Sequence, residues 1–336
     1  MNIIILGLGF LFGSILQYAH LNRYNVISGM ATLENFAVAK AIAVAIGVGV
    51  IIIAIEIGLG LASYHIKPIL LGGIALGGII FGVGMAILGY CPGTLPISLG
   101  EGSVDALVGI LGGLFGGFVY TMLPSIQNIL GPDLGSISLY TLIGQHQFIF
   151  YLVNIMIGAT FIWAAFRLHK AEKAKDYKWL YAGIGLAVLN AIVFLSILTN
   201  RIIGASSAYP FVADLITGTT DNSYFQKVQG PGKWEVLFLT GAFISGLVIS
   251  IFRKEFKITI IHSNWKKYKG NSVGKRLIWA FIGGFILIIG ARMAGGCTSG
   301  HVLSGGMQLA VSSLVFSIFV FAGLLITGKY FYKQKG

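Results

Sequence analysis

The sequence predicts an all-α, polytopic membrane protein of about nine transmembrane helices, with re-entrant half-helices and two inverted, pseudo-symmetric halves. Three observations carry this prediction. Hydrophobic residues make up 56% of the chain and charged residues only 10%, against roughly 25% charged in a soluble domain. Apolar runs of about 20 residues, the length that crosses a hydrocarbon core, recur along the chain. Glycine and cysteine positions repeat at a fixed offset of 206 residues.

The expected spans lie near Asn2 to Ala19, Phe36 to Ala62, Ile69 to Leu88, Val104 to Leu123, Phe148 to Phe166, Trp179 to Leu198, Trp234 to Ile251, Leu277 to Gly295 and Leu309 to Gly328. The first lacks the basic start and the small-residue cleavage site of a signal peptide, so it reads as a span. Lys and Arg concentrate in the loops Arg167 to Lys178 and Arg253 to Arg276 and in the tail at Lys329, Lys333 and Lys335. These fall on one side, which the positive-inside rule makes cytoplasmic. The connection from Pro124 to Gln147 has no Lys or Arg and suits the outer side. The expected placement is a multi-pass protein of the cell's inner (cytoplasmic) membrane, N-terminus outside and C-terminus inside. The net charge of +12 follows from that topology and does not imply nucleic acid.

In the repeat, Gly77-Gly78, Gly84, Gly89, Cys91, Ser98, Gly100 and Gly117 fall on Gly283-Gly284, Gly290, Gly295, Cys297, Ser304, Gly306 and Gly323. A weaker repeat pairs Asn22-Arg23 and Ser28 with Asn200-Arg201 and Ser206. Equivalent turns face opposite sides of the expected topology, so the copies are inverted. The domains read as a first half over 1–124, a linker with one transmembrane helix over 125–178, and a second, inverted half over 179–336. Inverted repeats are a recurrent transporter architecture, with the substrate path near the midplane.

The only two cysteines, Cys91 and Cys297, sit in glycine-flanked turns that interrupt spans. Non-helical backbone at membrane depth is tolerated where protein or a water-filled cavity surrounds it. Pro92 suits a first helical position, which puts Cys91 near an N-cap, where the dipole and free N–H groups favour an anion. Thr94, Thr298 and Ser299 offer hydroxyls, as caps or as ligand contacts. Arg292 is a snorkelling side chain or an anion-attracting one, and His301 a local hydrogen-bonding partner or a ligand. Arg23 and Arg201 are interfacial anchors or entrance charges. Glu56, Glu101 and Asp105 are carboxylates in or next to spans, where such groups are expensive; for Glu56, structural pairing and proton coupling are both open. The two cysteines form no zinc spacing, no nucleotide-binding motif is present, and no cofactor or metal is expected.

Gly-Tyr-Cys-Pro-Gly-Thr at 89–94, Gly290-Ala291-Arg292, Gly296-Cys297-Thr298-Ser299-Gly300-His301, Leu303-Ser304-Gly305 and Gly204-Ala205-Ser206-Ser207-Ala208-Tyr209-Pro210 resemble the YeeE/YedE family of sulfur-compound transporters over nearly the whole chain. The resemblance implies an hourglass-shaped helical transporter that imports thiosulfate or a related small inorganic sulfur anion. It implies relay of the ion by the thiols of Cys91 and Cys297, and a small cytosolic sulfur-carrier protein as partner. This chain departs from the family at Arg23-Tyr24-Asn25, where thiosulfate carriers have a cysteine. Asn25 keeps a hydrogen-bonding amide without a thiol, which widens the expected substrate to small sulfur species in general. A membrane sulfurtransferase that passes persulfide sulfur to a cytosolic carrier is the alternative reading, since a helix N-terminus lowers a thiol pKa. A non-sulfur anion channel with merely packing cysteines is a third.

Overall fold

The computed structural model describes residues 1–123, 130–172 and 176–333. Pro124, the basic residues Lys173 and Lys175, and Lys335 lie outside the described residues. Among the described residues the chain is helical, without strands. The helices are α1 (Asn2–Tyr18), α2 (Tyr24–Ala31), α3 (Ala37–Gly58), α4 (Leu71–Leu88), α5 (Leu95–Gly100), α6 (Val104–Met122), α7 (Leu139–Ile143) and α8 (Gln147–Glu172). They continue as α9 (Lys178–Phe194), α10 (Ala208–Thr217), α11 (Ser223–Phe252), α12 (Ser263–Lys269), α13 (Val273–Met293), a π-helical turn α14 (Ser299–Gly305) and α15 (Val311–Phe331).

Seven of these, α3, α4, α6, α8, α11, α13 and α15, are long and apolar enough to cross a membrane. The apolar helices α1 and α9 are shorter, with 17 residues each, which at 1.5 Å per residue still cover about 26 Å. All nine correspond to expected spans. The largest difference is at α11, which begins at Ser223 and runs through Pro231, where the apolar run alone suggests a start at Trp234. Its start is set by Asn222, whose side chain accepts from the Phe225 N–H at 2.7 Å, as an N-cap does. Glu56 occupies the last turn of α3, two residues before its end, rather than the interior of a span.

Helix pairings recur in matched sets. α15 packs on α4 as α6 packs on α13, and α1 packs on α11 as α9 packs on α3. At the centre α4 and α13 lie antiparallel: Gly77 approaches Gly290 and Ala294, while Gly84 approaches Gly283 and Leu287. With lipid as apolar as the side chains, close packing drives helix association, and glycine permits it. A Cβ on Gly290 would stand 2.3 Å from the Phe81 nitrogen, an atom of helical backbone that has nowhere to go. Gly290→Val is therefore expected to destabilise the protein by on the order of 3 kcal/mol or more. Thermal unfolding of the detergent-solubilised variant measures this, and wild-type stability would refute the close-packed α4–α13 seam.

The two cysteine turns have matching geometry. Gly89 and Gly295, each two residues before a cysteine, adopt left-handed backbone at φ +76° and +72°, a conformation cheap for glycine alone. They end α4 and close the turn after α13. The equivalent serines each bond to a distant segment, in opposite senses. The Ser98 hydroxyl donates to the Asn22 carbonyl at 2.8 Å, and Ser304 accepts from the Ile203 N–H at 3.2 Å.

Candidate functional site

Because α4 and α13 are antiparallel, residues near opposite ends of α13 mark opposite ends of the molecule. Arg276 and Arg292 are about 24 Å apart along it. Beyond the Arg292 end lies a cavity of about 630 Å³ lined by His65, Lys67, Arg201, Lys227, Glu235 and Arg292, with Gly295 at its edge. At the other end a cavity of about 310 Å³ is lined by Arg23, Tyr24, Asn25, Glu101, Glu255, Lys257 and His262. A smaller cavity of about 80 Å³ contains Cys91, Thr94, Thr298 and Ser299 among the apolar side chains of α1 to α4, α9 and α14. The four polar cysteine-turn residues thus share the smallest of these three cavities.

In the cysteine turns, Cys91 is half-buried and Cys297 buried. The Cys297 sulfur lies 3.1 Å from the Ser299 hydroxyl, which links the second thiol to the shared cavity. Cys91 is not an N-cap. Helix α5 starts four residues later, with Thr94 as its N-cap and Pro96 in its first turn. The reason is local: the Thr94 hydroxyl accepts from the Cys91 N–H at 2.9 Å, and the Cys91 carbonyl accepts from the Thr94 and Leu95 N–H groups, which closes a separate turn before the helix. Helix α5 has six residues, too few to build much of a macrodipole. Positive potential comes instead from side chains.

Arg292 does not snorkel. It is 7% exposed, its Nε donates to the Tyr224 hydroxyl at 2.5 Å, and its Nη1 donates to the hydroxyls of Ser206 and Ser207 at 2.9 and 3.1 Å. These neutral partners orient the guanidinium without cancelling its charge. Glu235, the nearby acid, is occupied by the backbone N–H groups of Ser207 and Ala208, its Oε2 accepting both. Lys67 reaches the second cysteine turn: its Nζ donates to the Gly295 carbonyl at 2.7 Å. A Cβ on Gly296 would collide with that ammonium, so the glycine makes room for the charge. Among the described residues, ion pairs join Arg23 to Glu101 and Glu255, Lys40 to Glu172, Lys267 to Glu34, and Asp105 to Arg276 and His262; none involves Lys67, Arg201, Lys227 or Arg292. The Lys67 end is therefore electropositive, whereas the Arg23 end balances Arg23 and Lys257 against Glu101 and Glu255.

His301 is fully buried. Its Nε2 donates to the Ala294 carbonyl at 2.8 Å and its Nδ1 lies 3.2 Å from the Ser313 hydroxyl, so both nitrogens brace the turn. Asn25 lines the Arg23 cavity, and its Oδ1 accepts from the Asn264 N–H at 3.0 Å, which docks α12 onto α2. The structure thus gathers Cys91, Thr94, Thr298 and Ser299 in one cavity, with Cys297 behind Ser299. It places Arg292 at one end and Arg23 and Asn25 at the other, and keeps His301 in the packing.

Sequence reasoning missed Lys67 and Glu235, and of the buried cluster behind the first turn it singled out only Asp105. In that cluster Arg276 donates to Asp105 at 2.6 and 2.9 Å and to the Leu88 carbonyl at 2.7 Å. The Tyr90 hydroxyl lies 2.9 Å from His262 Nε2, and His262 lies 3.1 Å from Asp105. Tyr209 adds a bond from its hydroxyl to the Pro92 carbonyl at 3.0 Å. A usable signal for Lys67 was its isolation between two apolar spans.

Two cysteine turns that line one small cavity suit small sulfur species, and a family model described as Sulphur transport matches residues 23–326. The chain belongs to this sulphur transport (YeeE/YedE) family. It is also 27% identical over 329 residues to "Thiosulfate transporter TsuA" of Spirochaeta thermophila, a match covering 94% of each chain. The protein is accordingly a multi-pass membrane protein of the sulphur transport family.

Proposed function

We propose that this chain imports thiosulfate or a related small inorganic sulfur-containing anion, with the thiols of Cys91 and Cys297 relaying the ion through the constriction. The observation that carries the reading is the single small cavity shared by Cys91, Thr94, Thr298 and Ser299, with a wider vestibule at each end. The named relative is a thiosulfate transporter, which supports the same substrate class. The positive-inside rule places the Lys67 vestibule outside. Lys67, Arg201, Lys227 and Arg292 there attract an anion from bulk water. Neutral thiols and hydroxyls then hold it weakly, as conduction requires, because a site that binds too tightly does not release. The Arg23 vestibule, with paired charges, opens to the cytoplasm, where a small sulfur-carrier protein would take the product. Ser299 supplies a neutral hydroxyl beside the thiols, while the Thr94 hydroxyl, which donates to the Cys91 carbonyl at 3.1 Å, holds the first turn in shape.

The test is uptake of labelled thiosulfate by cells lacking other importers. Wild-type protein is expected to confer uptake, and a Cys91→Ala, Cys297→Ala double variant to reduce it to background. Serine at both positions keeps a donor but removes the polarisable sulfur, and is expected to fall well below wild type. Normal uptake by the double alanine variant would remove the thiol relay. A stable sulfur adduct on Cys91, seen by mass spectrometry after exposure to thiosulfate, would favour sulfur transfer over permeation.

A further inference from the structure

Away from the cysteine turns, a groove of about 460 Å³ lies where the ends of α15 and α2 meet α12. It is lined by Leu325, Ile326 and Lys329 of α15, by Leu33 of the loop after α2, by Tyr268 of α12 and by Tyr332. Gly328 presses α15 onto the Ala31 carbonyl, where a Cβ would have no room, and so brings the two helix ends together along the groove. Helix α15 is long and apolar enough to span a membrane. Its side chains Leu314, Ile318 and Ile326 are exposed at intervals of four and eight residues, which places them on one face. That face meets lipid, and it leads into the groove.

The groove changes character along its length. Leu325 and Ile326 lie one turn before Lys329, about 5 Å along the helix axis, so an apolar half gives way to a cationic rim. Charge around the rim is of one sign. Helix α12 and the end of α15 bring Lys266, Lys267, Lys269, Lys329 and Lys333, and neither helix carries an acid. Glu34, on the loop that also carries Leu33, is neutralised by its ion pair with Lys267 and accepts from the Tyr268 hydroxyl. Lys269 lies over the Phe331 ring, 4.0 Å from its centroid. Lys329 joins no ion pair among the described residues.

We infer that this groove binds one anionic phospholipid, its phosphate at Lys329 and an acyl chain along Leu325, Ile326 and the exposed face of α15. The positive-inside rule puts this end of α15 at the cytoplasmic leaflet, where basic pockets between spanning helices hold anionic headgroups. The two halves of the groove set the occupant. A free phosphate ion leaves the apolar half uncovered, and the choline cation of a zwitterionic lipid is repelled by the surrounding lysines. Tyr332 joins the groove to the rest of the molecule: its hydroxyl donates to the Ala86 carbonyl of α4 at 2.9 Å and lies 2.7 Å from the Tyr24 hydroxyl. Tyr24 in turn lines the Arg23 vestibule. A lipid packed on Tyr332 therefore braces α15 against α2 and α4, whichever anion the protein carries.

The test reads lipid binding and stability rather than uptake, so it stands apart from the import reading. Purified, delipidated protein in a neutral detergent is titrated with phosphatidylglycerol, phosphatidylcholine or inorganic phosphate. Bound lipid is counted by native mass spectrometry, and thermal unfolding is followed in parallel. Wild type is expected to retain one phosphatidylglycerol in preference to phosphatidylcholine and to gain several degrees in Tm from it. The gain should shrink at high salt, which screens an exposed charge. Lys329→Gln is expected to lose most of the preference and of the Tm gain, and Lys329→Arg to keep both. Equal effects of the two lipids, as from a lysine that only snorkels, would overturn the proposal. So would an undiminished preference in Lys329→Gln, or inorganic phosphate alone reproducing the Tm gain. If Lys329→Gln does not fold, Leu33→Glu sets a repelling carboxylate on the opposite rim at an exposed position. Its preference for phosphatidylglycerol is expected to be absent, and a retained preference would overturn the proposal equally.

Discussion

Lys67→Glu is expected to reduce thiosulfate uptake at least 100-fold, roughly the effect of one lost charge interaction of about 3 kcal/mol at 5 Å with an effective dielectric constant near 20. The substrate carries two negative charges and the substitution reverses one protein charge, so this is a lower bound. Lys67 has no carboxylate partner of its own, and its ammonium projects onto the Gly295 and Gly296 backbone of the second cysteine turn. A charge so placed meets the anion where it leaves the vestibule for the constriction. Lys67→Arg is the control, because it keeps the charge. The side chain stands between α3 and α4, outside both helices. Desolvation pushes its pKa down to about 8, and the Arg292 guanidinium pushes in the same direction. A lowered lysine pKa means that the cation is present below that pH and lost as pH rises through it. Wild-type uptake is therefore expected to decline above about pH 8, and Lys67→Arg uptake to decline less. Full activity of Lys67→Glu, measured in vesicles at low ionic strength where exposed charges are least screened, would place the anion's route elsewhere.

Arg276→Met is expected to cost about 3–5 kcal/mol of stability, the penalty for leaving a buried charge without its partner. Arg276 and Asp105 are both fully buried, and the guanidinium lies over the rings of Tyr24 and Trp265. Removing it strands the Asp105 carboxylate, with only Tyr90 and His262 beside it. It also frees the Leu88 carbonyl that Arg276 holds immediately before the Gly89–Thr94 turn. The loss should therefore appear in both denaturation of the purified protein and thiosulfate uptake. An Asp105→Asn, Arg276→Met double variant removes both charges and is expected to recover part of the stability. A single Arg276→Met variant as stable as wild type would show that the cluster contributes nothing to the turn.

The sites legible in the sequence were those whose chemistry is local. Cys91 and Cys297 stood out because each lies in a glycine-rich break, and the matched left-handed glycines at 89 and 295 account for the pattern. The placement of Cys91 at a helix start was misread for an equally local reason: Pro92 permits a helix there, but the Thr94 hydroxyl and Cys91 carbonyl close a turn first. The roles of the charged residues were not legible. Arg292 and Arg23 resemble each other as basic residues near span ends. The first is buried among hydroxyls and has no ion-pair partner, while the second is paired with two acids. Nothing adjacent in sequence distinguishes them, since their partners lie 68 to 86 and 78 to 232 residues away.

The sequence by itself determined the all-helical membrane class and the approximate location of the apolar helices, because a lipid core forces every spanning segment to bond its own backbone and to be apolar along its length. It also carries the doubled glycine and cysteine pattern at an offset of 206 residues. Only the tertiary structure decided which charges remain unneutralised and which thiol and hydroxyls share a cavity. Those outcomes depend on distances between helices far apart in the chain, and the strength of a charge or hydrogen bond at membrane depth is set by its neighbours in space.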